Sequence, residues 1–77
     1  MIFILTEQVF NGTVTMSVIP TGVEADSFKE AVNKIKDKLK SIPHEIRRDD
    51  DDTFRYSIEG DLPLVGYITK KPLKMLL

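Results

Sequence analysis

The stretch that most constrains this chain is Ser27 to Ile42. Phe28, Ala31, Val32, Ile35, Leu39 and Ile42 recur at helical spacing. At about 100° per residue they form one apolar stripe, the pattern of a helix buried against a single partner layer. Ser27, with Glu30 three residues on, forms a capping-box pair for the first turn. Pro43 disfavours the helical conformation of the residue before it, so the helix is expected to end at Ser41 or Ile42. Such a helix spans about 24 Å and needs a packed face to persist in water. Lys29, Lys36 and Lys40 flank the stripe on one side, Lys34 and Lys38 on the other. That is the distribution of lysines snorkelling beside a buried face, not the single basic face of a recognition helix.

The rest reads as strands. Asn11-Gly12 between alternating apolar runs predicts a hairpin with a type I′ turn. The expected pairs are Phe10 with Thr13, Val9 with Val14, Glu7 with Met16, Leu5 with Val18 and Phe3 with Pro20. Phe3, Leu5, Val9, Val14, Met16 and Val18 then share the core face. Glu7 is the anomaly on that face, relieved by a position near the sheet end, by a bulge, or by a role as a buried acid. On the other face Ile2, Ile4 and Ile19 cluster. Such a patch suits a partner or a second copy of the chain, unless the tail from Lys70 to Leu77 folds over it.

After Pro43, His44–Arg48 and Thr53–Glu59 form a second hairpin around Asp49–Asp52. A three-residue loop pairs Ile46 with Phe54, Glu45 with Arg55 and Arg48 with Asp52, placing opposite charges across the strands. Gly60-Asp61-Leu62-Pro63 is a turn, and Leu64–Thr69 follows as the last strand. The two hairpins around the helix define the expected fold. It is α+β, a two-layer ββαββ arrangement with a four-stranded, mainly antiparallel sheet and one helix packed on one face. The 77 residues make a single domain with room for one core.

Composition narrows the function. The chain has no cysteine, hence no disulfide or thiolate site, and its apolar N-terminus is too short for a signal peptide or a membrane span. These features read as a cytoplasmic protein. The net charge of −1 hides segregation: residues 26–48 carry seven basic and four acidic side chains, whereas residues 49–61 carry six acidic and one basic. One histidine, His44, cannot build a triad without a nucleophile at suitable spacing, nor an imidazole metal site. An EF-hand loop begun at Asp49 would need glycine and glutamate where Phe54 and Gly60 stand. A non-enzyme without cofactors is therefore expected.

Two surfaces are the candidates for binding. One is the acidic turn Asp49, Asp50, Asp51 and Asp52 with flanking Arg48 and Arg55, a set of carboxylates able to imitate a phosphate backbone in a basic groove. The other is the apolar edge Ile2, Ile4 and Ile19 with the tail. The rival is a small RNA- or DNA-binding domain, with Phe54, Tyr56 and Tyr67 as a stacking platform beside Arg47, Arg48 and Arg55.

Two resemblances rest on these elements. Val23-Glu24-Ala25-Asp26-Ser27-Phe28-Lys29-Glu30-Ala31-Val32, within Thr15 to Leu39, resembles the strand-into-helix junction of HicB-type antitoxins. The Pro-Asp-x-Pro-Gly segment of that family is missing. In size and layout the whole chain also looks like small phage-encoded anti-defence proteins such as anti-CRISPRs, several of which open their helix with a similar Ser-x-x-Glu-Ala. That likeness implies a protein that occupies a surface of a host defence complex, often one that binds nucleic acid. It carries over no individual residues.

Overall fold

The structure, a computed structural model, describes residues 1–73. Its elements run β1 (Ile2–Asn11), β2 (Val14–Ser17), β3 (Thr21–Glu24), α1 (Phe28–Leu39), β4 (Glu45–Asp49), β5 (Thr53–Ile58) and β6 (Leu64–Thr69). The fold is α+β with one antiparallel sheet ordered β2-β1-β6-β5-β4, and β3 joins β1. Six strands stand where four were expected. That expectation counted only the two hairpins, whereas β6 inserts between them and the second strand of the first hairpin breaks into β2 and β3.

The break is a register shift. Gln8 pairs Ser17 and Val9 pairs Met16, but Leu5 pairs Thr21 and Phe3 pairs Val23. Val18 still donates its N–H to the Glu7 carbonyl at 3.0 Å, so the extra residue lies at Ile19-Pro20. Proline has no N–H to give a ladder, which is why the pairing slips there. The turn differs too. Asn11 pairs Val14, leaving Gly12-Thr13 as the two loop residues. Gly12 alone has a positive φ, +62°, the sign pattern of a type II′ turn with glycine first. Moving the turn by one residue moves the pairing by two, so the side chains of β1 and β2 keep their expected faces.

The helix is shorter than its periodicity suggests. Ser27 Oγ accepts the Glu30 N–H at 3.1 Å, and Glu30 reaches back to the Asp26 N–H at 3.1 Å. The last helical residue is Leu39, and Ile42 is in the turn that follows, bonded to the Leu39 carbonyl. Ala31, Val32, Ile35 and Leu39 form one buried cluster with Phe3, Leu5, Ala25, Phe54, Tyr56 and Ile68. The Phe28 ring lies 6.0 Å from Phe3.

Twelve helical residues span about 18 Å. The ten residues of β1 span about 34 Å. The core therefore ends partway along β1. Phe3 and Leu5 are buried, whereas Val14, Met16 and Val18, expected in the core, are 57%, 45% and 39% exposed.

At that boundary sits a row of three residues across the sheet. Tyr56 on β5 pairs Gly66 on β6, and Gly66 pairs Glu7 on β1. The Tyr56 side chain lies over Gly66 and its hydroxyl donates to Glu7 Oε2 at 3.0 Å. Glu7 thus stays on the core face without a bulge, its charge answered by a phenol. Burial first, and the Glu7 carboxylate second, push the Tyr56 phenol well above its ordinary value, so it remains a donor. A Cβ on Gly66 would overlap the Tyr56 ring.

Gly66→Ala is accordingly expected to destabilise the fold by about 1–3 kcal/mol, the range for overpacking. Gly60→Ala, where a Cβ meets nothing within 4 Å, serves as the control. Urea unfolding curves of the two variants check this, and equal midpoints would rule it out.

Candidate functional site

The second hairpin carries most of the candidate residues, and the structure sorts them onto two faces. Asp49 pairs Phe54, Arg48 pairs Arg55, and Ile46 pairs Tyr56 with a bulge at Arg47. The expected three-residue loop is corrected: Ile46 does not face Phe54, nor Arg48 Asp52. The reason is Asp50. Its Oδ1 accepts the N–H groups of Asp52 and Thr53 at 2.9 and 2.8 Å, and its backbone N–H bonds the Thr53 carbonyl. A carboxylate organising its own turn in this way overrides cross-strand charge pairing as the source of register.

The acidic run is largely neutralised. Asp49 bonds Lys36 at 2.7 Å, Asp50 bonds Arg48 Nε at 2.7 Å, and Asp52 bonds Lys70 at 2.7 Å. Asp51 is the one aspartate of the run without an ion pair among the described residues. Lys36 also stands 5.5 Å over the Phe54 ring, tying the turn to the helix flank. An open depression of about 580 Å³ lies there, lined by Phe28, Lys29, Val32, Lys36 and Asp49–Asp51. Its facing charges are of both signs. The turn consequently offers a partner less free negative charge than its four aspartates suggest.

The basic residues meet on the other side. Arg48 and Arg55 are a directly opposed pair on the face away from Phe54 and Tyr56. Like charges so placed repel. Arg48 turns to Asp50, and Arg55 lies over Tyr67 at 5.4 Å from the ring centroid. Arg47, extruded by the bulge, donates from Nε to Ser57 Oγ at 3.1 Å and pairs Glu45 at 3.4 Å. Ser57 is buried and is satisfied by this bond.

Across the sheet the same outer face continues. Tyr67 pairs Thr6, and Val65 pairs Gln8, which places Ile2, Ile4 and Phe10 of β1 on the face of Tyr67. All of these are half-buried. Phe54 and Tyr56 belong to the core instead, so the three-aromatic platform does not form. The expected Ile2, Ile4 and Ile19 cluster is corrected as well. Register places Gly22 beside Ile4 and Glu24 beside Ile2, and the bulge leaves Ile19 86% exposed. Leu73 donates to the Ile2 carbonyl at 2.6 Å, bringing the start of the tail to this end of β1. Residues 74–77 lie outside the described residues.

His44 is exposed, with Nδ1 2.7 Å from the Ile42 carbonyl. Among the described residues no three His, Cys, Asp or Glu side chains converge as metal ligands, and no helix is long and apolar enough to cross a membrane. The Arg55–Tyr67 stack was hidden in the sequence because Phe54, Tyr56 and Tyr67 look alike until the sheet is closed. The signal that separates them is parity: Phe54 and Tyr56 share one face of β5, and Arg55 takes the other. No protein-family model, curated protein or solved structure matches the chain.

Asp50 supplies a pH signature. Its hydrogen bonds from Arg48, Asp52 and Thr53 hold its carboxyl down to about 2, from an ordinary value of 3.8. A depressed value in the fold means stabilisation that is full above pH 3.8 and fades as pH falls towards 2. The stability gap between the native chain and Asp50→Asn is expected to narrow over that window in urea melts. A gap constant down to pH 2 would contradict it.

Proposed function

We propose that this chain is a non-enzymatic interaction protein that binds a protein partner and blocks or regulates it. In this reading α1 covers the core face alone, and the outer face of the sheet is the binding surface. One observation carries the proposal. The outer face holds a continuous half-buried set, Ile2, Ile4, Phe10, Val65 and Tyr67, rimmed by Arg47, Arg48 and Arg55. Tyrosine and arginine around an apolar centre are the composition of binding hot spots. The acidic turn lies at one end of this face and contributes Asp51 and the Arg48–Asp50 pair to its rim. The size and layout shared with phage-encoded anti-defence proteins support a blocking role, with a host defence complex of the CRISPR type as the target.

A second reading has its own support. Arg55 stacked on Tyr67 is the kind of pair on which a nucleic-acid base stacks. Against it stand the ion pairs of Arg47 and Arg48 and the net charge of −1.

The test is capture from host lysate by the tagged chain, with nuclease-treated and untreated arms. A defined protein complex in both arms, weakened roughly 30-fold by Arg55→Glu or Tyr67→Ser (about 2 kcal/mol for a hot spot), is the expected result. Lys40→Glu, at the far end of α1, leaves capture unchanged. Capture lost with nuclease, together with salt-dependent binding of bare oligonucleotide, would transfer the function to the second reading.

A further inference from the structure

The two edges of the sheet are built in opposite ways. β4 is protected: Glu45, Arg47, Arg48 and Asp49 charge it, and the bulge at Arg47 interrupts its ladder. Natural sheets use such charges and bulges to prevent edge-to-edge pairing. β2, the other edge, carries no charge, and the bulge at Ile19-Pro20 falls beyond its last residue, Ser17. In a chain that is 30% charged, the sixteen residues from Gln8 to Val23 carry no charge. Val14 and Met16, with Val18 just past the end of the strand, project from one face and are exposed.

The direction of its backbone groups follows from one bond. Val18 donates to the Glu7 carbonyl, so the Glu7–Val18 pair is a hydrogen-bonded one. Antiparallel pairs alternate, hence Met16 and Val14 also direct their N–H and C=O groups toward β1. Thr15 and Ser17 then direct theirs outward, with no strand beyond them among the described residues.

We propose that β2 pairs antiparallel with β2 of a second copy of the chain, about a two-fold axis through Met16. In that register Thr15 exchanges hydrogen bonds with the partner subunit's Ser17, and Ser17 with the partner subunit's Thr15. Met16 faces the partner subunit's Met16 across a non-hydrogen-bonded position, and Val14 faces the partner subunit's Val18. Every outward backbone group of β2 gains a partner, and the three apolar side chains of each copy meet those of the other. The strand is its own complement, as a two-fold interface requires. A charged peptide would leave its charges opposite this neutral run, which favours the second copy as occupant. The paired sheets bury the one apolar row that α1 is too short to reach. This surface is separate from the outer face, so the proposal stands or falls apart from the binding function.

Sedimentation of the native chain is expected to show a species of twice the 8.8 kDa chain mass. Met16→Lys, at an exposed position, is expected to return the chain to a monomer with unchanged circular dichroism. The register has its own test, since the native chain has no cysteine. Opposed residues at a non-hydrogen-bonded position lie about 4.5 Å apart between Cα atoms, within disulfide range. Met16→Cys therefore crosslinks into a covalent dimer on mild oxidation, and Val14→Cys does not. A native chain that sediments only as a monomer overturns the proposal. A dimer that Met16→Lys leaves intact, or that Val14→Cys crosslinks in preference to Met16→Cys, overturns it equally.

Discussion

The reach of a single short helix governs this structure. Its stripe of Ala31, Val32, Ile35 and Leu39 is the apolar surface that α1 brings to the core. About 18 Å of helix against about 34 Å of β1 leaves the sheet half served. The core closes around Phe3, Leu5, Phe54, Tyr56 and Ile68, and ends where Tyr56 crosses Gly66 to reach Glu7. A charged group at the rim of a core is costly unless it is bonded, and the phenol supplies that bond. Beyond this row Val14 and Met16 of β2 are exposed, with no layer above them among the described residues.

Spare surface on a small domain is where function is to be sought. The outer face carries aromatic and arginine groups locked by neighbours: Arg55 by Tyr67, Arg47 by Ser57, Arg48 by Asp50. Side chains held in this way lose little freedom on binding, which favours affinity. The acidic turn has a different part. Asp50 folds it, Asp49 ties it to α1 and Asp52 ties it to Lys70, so most of its charge serves the domain itself.

Much of this was legible in the sequence, for identifiable reasons. The helix could be read from its period and its Ser27 cap because both are local. The faces of β1 and β2 could be read because a shift of two residues preserves alternation. The turn at Gly12-Thr13 could not, because the Asn11-Gly12 pair advertises a different two-residue loop. The slip at Ile19-Pro20 follows from proline, whose missing N–H is not registered by an alternation that pairs Phe3 with Pro20. The register of β4 with β5 depended on the Asp50 carboxylate bonding its own backbone, a competition that cross-strand charge matching does not see. The Glu7–Tyr56 bond joins residues 49 apart, and Gly66 makes room for it, so no local pattern announces either. For the candidate site, Arg48 and Arg55 were read as flanking one acidic turn with Asp52 and Glu45 opposite them, whereas the register opposes them to each other. Ile19 was misplaced too, because one extra residue changes the face of everything beyond it.

The central claim is that the packed core stops at the Glu7–Gly66–Tyr56 row and that β1 continues past it with support from the sheet alone. Hydrogen exchange of the dilute chain, resolved amide by amide along β1, measures this directly. Amides from Phe3 to Glu7 are expected to exchange only through global unfolding, and those from Val9 to Asn11 through a local opening of lower free energy. Equal protection along the whole of β1 would contradict it, since the far half of the hairpin would then be as firmly held as the core.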